Sequence, residues 1–258
     1  MVMRNDLDIP YGNHPRQTLD VHLPDCDRFP VFVYFHGGGL SRGSKGPADC
    51  PFVRYLTGRG IALVTANYRL YPDAKDPDRV GSPATYPDFI EDAAHAVAWV
   101  LEHIGQYGTA TGIYVGGSSA GGYLSQMLCF DESWYAKFGV KPDQIAGYIH
   151  DAGQPTCHFK ILKERGLDPR RVIIDESAPI YHIAADKVYP RMLVIVADND
   201  MENRYEQTML LISTLKHFGY AESVELKVMH GTHTSYGKDE NGDSHFYKLI
   251  CQFILGEE

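Results

Sequence analysis

Long apolar runs are missing from this 258-residue chain, and no stretch approaches the roughly 20 residues needed to span a bilayer. Paired cysteines are missing too. The five present (Cys26, Cys50, Cys129, Cys157 and Cys251) are scattered, odd in number and contain no C-x-x-C, which argues against a disulfide framework or a zinc site and for reduced thiols. There is no excess of positive charge. Lysine and arginine total 24 against 33 aspartates and glutamates, a formal net charge of −9, which counts against nucleic acid or an anionic membrane surface as partner and leaves a neutral small molecule open. The first residues, "MVMRNDLDIPYG", carry charges where a secretory leader needs an apolar stretch. No internal repeat or low-complexity linker divides the chain. These absences lead us to expect one soluble, cytoplasmic domain over residues 1–258, and they leave its oligomeric state open.

What is present is alternation. "PVFVYFH" (30–36), "IALVTANY" (61–68), "GIYVGG" (112–117), "IAGYIHDAG" (145–153), "RMLVIVAD" (191–198) and "VELKVMH" (224–230) have the length and branched-residue content of strands, the middle ones covered on both faces. Helical patterns lie between them. Ile90, Ala94, Val97, Leu101 and Ile104 fall on one face of a helix with Pro87 near its start, Met209, Ile212 and Leu215 on another, and a last helix begins near Ser244, with His245 at its start expected to face solvent. The order predicts an α/β fold with a mostly parallel sheet and helices on both faces. Two stretches break the pattern. "DAKDPDRVGSPAT" (73–85) is expected as a surface loop, and residues 154–189 as either a small lid or a long crossover.

In such sheets chemistry sits at the carboxyl ends of the strands, and "GIYVGGSSAGGYL" places two serines there. The pattern G-x-S-x-G fits one register, Gly117-Ser118-Ser119-Ala120-Gly121, and centres on Ser119. Flanking glycines suit a nucleophile on a sharp strand-to-helix turn, where side chains would clash. The backbone N–H of Ala120 then points towards developing negative charge at a helix N-terminus. The competing reading is an ordinary tight turn. A second motif, "FHGGGL" (35–40), offers consecutive glycine N–H groups of the kind that form half of an oxyanion hole. We take Gly38 and Gly39 as donors, with His36 and Gly37 supporting the loop. A phosphate-binding reading fails, because Ser44 stands where lysine is needed and no G-x-G-x-x-G precedes a helix.

"FHGGG", "NYRLYP" (67–72), "YPDFIEDAAHAVAWV", "GGSSAGG" and "VADND…YEQT" together resemble the α/β-hydrolase superfamily, in its esterase/lipase branch related to hormone-sensitive lipase, over nearly the whole chain from Thr18. The resemblance implies a serine hydrolase whose nucleophile, acid and base follow in that order. The residues alone leave Asp198 and Asp200 open as the acid, and His230 and His233 as the base. Family spacing selects Asp200, three residues beyond Ala197, and His233, in the loop after a glycine. No cysteine or acidic cluster completes the H-x-x-H pair, so no metal and no cofactor is expected.

The implied reaction is attack by Ser119 on an acyl carbonyl, with proton transfer to His233 and the oxyanion held by Gly38, Gly39 and Ala120. Larger relatives carry cap helices ahead of the first motif strand, for which about thirty residues leave no room. The expected substrate is therefore a short-acyl ester, acetyl-like. An amide or formamide substrate of the arylformamidase kind, and a non-catalytic binding protein, are the alternatives. Tyr68, Tyr71, Tyr123, Trp134, Tyr135 and Tyr236 are expected mainly in the core.

Overall fold

The computed structural model describes residues 4–72 and 83–257, so most of the surface loop expected at 73–85 lies outside the described residues. Eight strands form one sheet: β1 (Arg4–Pro10), β2 (Thr18–Leu23), β3 (Arg28–Phe35), β4 (Ala62–Ala66), β5 (Thr109–Ser118), β6 (Gly147–Asp151), β7 (Arg191–Asn199) and β8 (Val224–Thr232). Their order is β1-β2-β4-β3-β5-β6-β7-β8. The six from β4 to β8 in that order run parallel, and β1 and β2 are antiparallel additions at one edge.

Period-two alternation divides the core between the two faces of the sheet. Val31, Val33 and Phe35 of β3 pack with Val64 of β4 beneath helices α2 (Asp88–His103) and α3 (Ala120–Phe130). Phe32 and Leu63 face the other way, against α1 (Pro51–Thr57) and α7 (His245–Leu255). The remaining helices are α4 (Ser133–Ala136), α5 (Phe159–Glu164) and α6 (Arg204–His217). Every residue of α3 is buried, and all but Gln126 are apolar, aromatic or small, as suits a helix enclosed on every side. No helix among the described residues is long and apolar enough to cross a membrane.

The six strands expected from the apolar runs are all present, with ends shifted by a few residues. Two expectations need correcting. On α2, Leu101 packs partly buried against the core beside the buried Val100, as expected, whereas the buried face of α6 uses Thr208 and Leu211 where Met209 was expected. His245, expected in solvent, is half-buried at the first turn of α7. Residues 154–189 form the connection between β6 and β7, holding α5 and a short 3-10 turn at Pro179–His182.

Candidate active site

The turn from β5 into α3 explains the glycines around Ser119. Ser119 has φ 56° and ψ −110°, outside the regions ordinary residues favour, and its backbone N–H is held by the carbonyl of Asp151 at 2.7 Å. A Cβ on Gly121 would lie 1.9 Å from the carbonyl oxygen of Phe35, and one on Gly117 2.5 Å from the same atom. Both flanks of the turn are therefore pressed against the end of β3, where no side chain fits. Ser118 is buried and Ser119 half-buried.

The glycine loop after β3 packs against this turn. A Cβ on Gly37 would stand 3.3 Å from that of Ser119. Gly38 (φ 117°) and Gly39 (φ 60°) take left-handed backbone that glycine accepts without strain. The carbonyl of Gly38 receives the N–H groups of Ser41 and Arg42, curling the loop. Among the described residues, no acceptor is paired with the N–H groups of Gly38, Gly39 or Ala120. His36 anchors the base of the loop. Its ring stacks on Tyr68 with centroids 4.4 Å apart, Nδ1 donates to the Gly37 carbonyl at 2.7 Å, and Nε2 accepts from Arg16 at 3.3 Å.

The strand ends β7 and β8 supply two histidine–aspartate pairs. Asp200 Oδ1 accepts from His233 Nδ1 at 2.6 Å, and His233 Nε2 lies 2.8 Å from Ser119 Oγ. The Asp200 side chain is fully buried, and that of His233 is 23% exposed. Burial pushes the Asp200 carboxyl up, but hydrogen bonds from His233 and from the N–H groups of Met201 and Ala197 outweigh it and hold the pKa below the ordinary value. His233 is presented by a turn that closes on itself, with Thr232 and Ser235 exchanging backbone hydrogen bonds at 3.0 and 2.8 Å. The other two candidates pair with each other: His230 Nδ1 meets Asp198 Oδ2 at 2.7 Å, on the surface, with His230 98% exposed. The structure thus brings Ser119, His233 and Asp200 together and leaves Asp198 and His230 outside.

A second carboxylate lies behind the turn. Asp151, at the end of β6, is completely buried, accepts a short hydrogen bond from the Tyr236 hydroxyl, and leaves Oδ2 without a partner among the described residues. Desolvation raises its pKa to about 6, against the opposing pull of hydrogen bonds from Ser118 and Tyr236 and the nearby His233. Tyr34 donates to Ser118 Oγ at 3.0 Å, so Ser118 joins this buried chain as well as sparing room at the turn. Tyr236 is three residues beyond His233, and Asp151 ties the histidine loop to the turn that carries Ser119. Arg204, buried at the start of α6, donates to the carbonyl of Ala152, and burial lowers its pKa to about 10.

The sequence reading passed over Asp151, Tyr34 and Arg204. An aspartate at the carboxyl end of a parallel strand was a usable signal for the first. Nothing in the local pattern marks the other two. The six aromatics expected in the core are buried, and Tyr236 also lines the cleft above Ser119. That cleft has a volume of about 1170 Å³ and is walled by the glycine loop, α1, the His233 turn and the start of α7. Among the described residues no group of three or more His, Cys, Asp or Glu side chains is arranged to hold a metal ion.

An eight-stranded, mostly parallel sheet with a strained strand-to-helix serine at its centre is the α/β-hydrolase fold. The chain belongs to the BD-FAE family, whose model matches residues 19–161. Among curated relatives it is 36% identical over 222 residues to the probable carboxylic ester hydrolase LipM of Mycobacterium tuberculosis, covering 76% of this chain and 48% of LipM. It is 28% identical over 267 residues to tuliposide A-converting enzyme 2 of Tulipa gesneriana, covering 92% of this chain and 65% of that enzyme. The chain therefore spans about half to two thirds of the length of these relatives. A truncated carbohydrate esterase from gut microbiota superposes with a TM-score of 0.75 at 17% identity, covering 98% of this chain and 96% of that one. The propionate-bound esterase 2 of Thermogutta terrifontis gives 0.71 at 22%, covering 98% and 94%. At these identities the two structures speak for the fold.

Proposed function

We propose that the protein is a serine carboxylic-ester hydrolase with Ser119 as nucleophile, His233 as general base and acid, and Asp200 as the carboxylate that orients the imidazole. The observation that carries this reading is the unbroken chain Asp200–His233–Ser119 at 2.6 and 2.8 Å, ending on a serine held in a strained turn. The buried, ionised Asp200 fixes the proton on Nδ1, which leaves the Nε2 lone pair to take the Ser119 proton. Attack on the ester carbonyl gives a tetrahedral oxyanion, received by the N–H groups of Gly38, Gly39 and Ala120. Each such donor is worth about 2.7–4 kcal/mol of barrier. His233 then protonates the leaving alcohol, and a water activated by the same Nε2 hydrolyses the acyl-enzyme. The names of LipM and the Mycobacterium tuberculosis carboxylesterase NlhH, 34% identical over 137 residues, agree with ester hydrolysis.

Space beside the glycine loop favours a short acyl group. The ring of Phe159 comes so close to Gly39 that an added Cβ there would stand 3.1 Å from Cζ, which narrows the cleft next to the oxyanion donors. The test is hydrolysis of p-nitrophenyl esters from acetyl to palmitoyl by the wild type and Ser119→Ala. The expected result is a peak at acetyl to butyryl that vanishes in the variant. Activity retained by Ser119→Ala would overturn the reading, and turnover of N-formyl aromatics in place of every ester would move it to amide hydrolysis.

A further inference from the structure

The charge of the cleft is opposite to that of the chain. The whole protein carries −9, yet Arg42, Arg54, Arg59 and Lys238 line the cleft and Asp243 is the one carboxylate among its described lining residues. Asp243 is already engaged, 3.6 Å from Arg59, whose guanidinium also lies 3.5 Å over the ring of Tyr55. Among the described residues no acidic side chain lies within ion-pair distance of Arg54 or Lys238, and both side chains are exposed. Positive side chains gathered in the concavity of an acidic protein focus potential there and select for anions.

The placement of these cations says which half of an ester they meet. The leaving oxygen must come within reach of His233 Nε2 to be protonated. The cleft runs on from His233 along residues 234–238 and 242–244 to the helix Pro51–Thr57, and Arg54, Arg59 and Lys238 border that arm. The acyl side is the one narrowed by Phe159. A volume of about 1170 Å³ exceeds what an acetyl group with a small alcohol fills. Tyr55 and Tyr247 add flat apolar surface along the same arm.

We infer that the leaving-group arm of the cleft is a binding site for a ring-bearing alcohol or phenol that carries a negative charge, such as a carboxylate. The proposal rests on the ester-hydrolase reading for its chemistry, and charge recognition by Arg54 and Lys238 is what it adds. No covalent step beyond ester hydrolysis is involved.

The experiment compares 4-acetoxybenzoate with 4-acetoxybenzamide, two acetyl esters of similar shape that differ in charge, each rate divided by that of uncatalysed hydroxide hydrolysis. The expected kcat/KM ratio favours the anion by about tenfold or more. It falls by about tenfold in Arg54→Glu/Lys238→Glu and declines with added salt, as a screened attraction must. A ratio near one that the double variant leaves unchanged, with both esters hydrolysed, overturns the charge proposal and spares the hydrolase reading. Binding of the products 4-hydroxybenzoate and 4-hydroxybenzamide to Ser119→Ala, by calorimetry, separates the two ideas from the other side. Preferential binding of the anion with no turnover of either ester would keep the anion site and overturn the hydrolase reading. Equal affinity or no binding of either product would count against the site.

Discussion

Asp200–His233 and Asp198–His230 are the same two residue types, 33 and 32 residues apart in the chain, on the same two strand ends, with nearly equal bond lengths of 2.6 and 2.7 Å. Their surroundings differ completely. The Asp200 side chain is sealed from solvent and His233 points its second nitrogen at Ser119, whereas His230 is almost wholly in water and, among the described residues, its ring meets no serine. On the proposed reading, a histidine–aspartate hydrogen bond is not by itself a catalytic device: burial of the carboxylate, and a fixed target for the far nitrogen, set the proposed catalytic pair apart from a surface ion pair.

The comparison breaks most sharply under substitution. Ser119→Ala, His233→Ala and Asp200→Asn are each expected to lower kcat for a p-nitrophenyl ester by about 10⁴-fold or more, with melting temperatures near that of the wild type. Asp198→Asn and His230→Ala should leave kcat within about twofold, because an exposed pair contributes little. Equal losses from both pairs would erase the distinction.

The turn that aims Ser119 should fail next. Gly121→Ala places a Cβ 1.9 Å from the Phe35 carbonyl oxygen, so either β3 or α3 must shift. The expected outcome is a clear loss of thermal stability together with activity, read by circular dichroism and by initial rates on one preparation. A variant as stable and as active as the wild type would show that the turn is not packed this tightly.

Asp151 sharpens the comparison from a third carboxylate, equally buried but outside the Ser119–His233 chain. Its folded pKa of about 6 lies above the ordinary value of 3.8, so the folded state binds the proton more tightly than the unfolded one. The stability this gives is fully present below pH 4 and is lost as pH rises through 6, by about 3 kcal/mol in all. Asp151→Asn, which does not ionise, should gain on the wild type across that window in urea unfolding at pH 4, 5, 6 and 7. A difference independent of pH would mean that Asp151 does not carry the raised pKa. The smallest effect is expected from Tyr34→Phe. Loss of its 3.0 Å bond to Ser118 should slow turnover by no more than about tenfold while Ser119 stays in place.

How much of this was legible in the chain depends on whether a residue's neighbours are local. Five of the six parallel strands announce themselves because a strand covered on both faces needs an apolar run, and β8, at the sheet edge and nowhere fully buried, does so by apolar–polar alternation. The serine turn and the glycine loop announce themselves because close backbone approach demands glycine at fixed spacing. The β1–β2 edge was missed. β1, "RNDLDIP", is exposed along almost its whole length and has no apolar alternation to detect. β2, "TLDVHL", does alternate apolar Leu19, Val21 and Leu23 with polar residues, a strand pattern that was passed over, and its polar Asp20 and His22 are buried as well. Their partners come from far along the chain. Lys45 pairs with Asp20, and Asn5 meets His22 Nδ1 at 3.1 Å, while burial pushes the His22 pKa down to about 4.

Within the site the same rule holds. Resemblance to a family ordered Ser119, Asp200 and His233 along the chain, but the Tyr34–Ser118–Asp151–Tyr236 chain joins four elements and leaves no spacing to read. The exposed Asp198–His230 pair was equally invisible. Both members had been weighed as alternatives to Asp200 and His233, and only folding shows that each alternative's partner is the other alternative.

The most direct measurement is covalent labelling with a fluorophosphonate, followed by intact-mass and peptide mass spectrometry of the wild type and of the Ser119→Ala, His233→Ala and His230→Ala proteins. The account predicts one adduct per wild-type chain on Ser119, none in Ser119→Ala, strongly slowed labelling in His233→Ala and undiminished labelling in His230→Ala. An adduct on Ser118, or labelling that depends on His230 and not on His233, would contradict it.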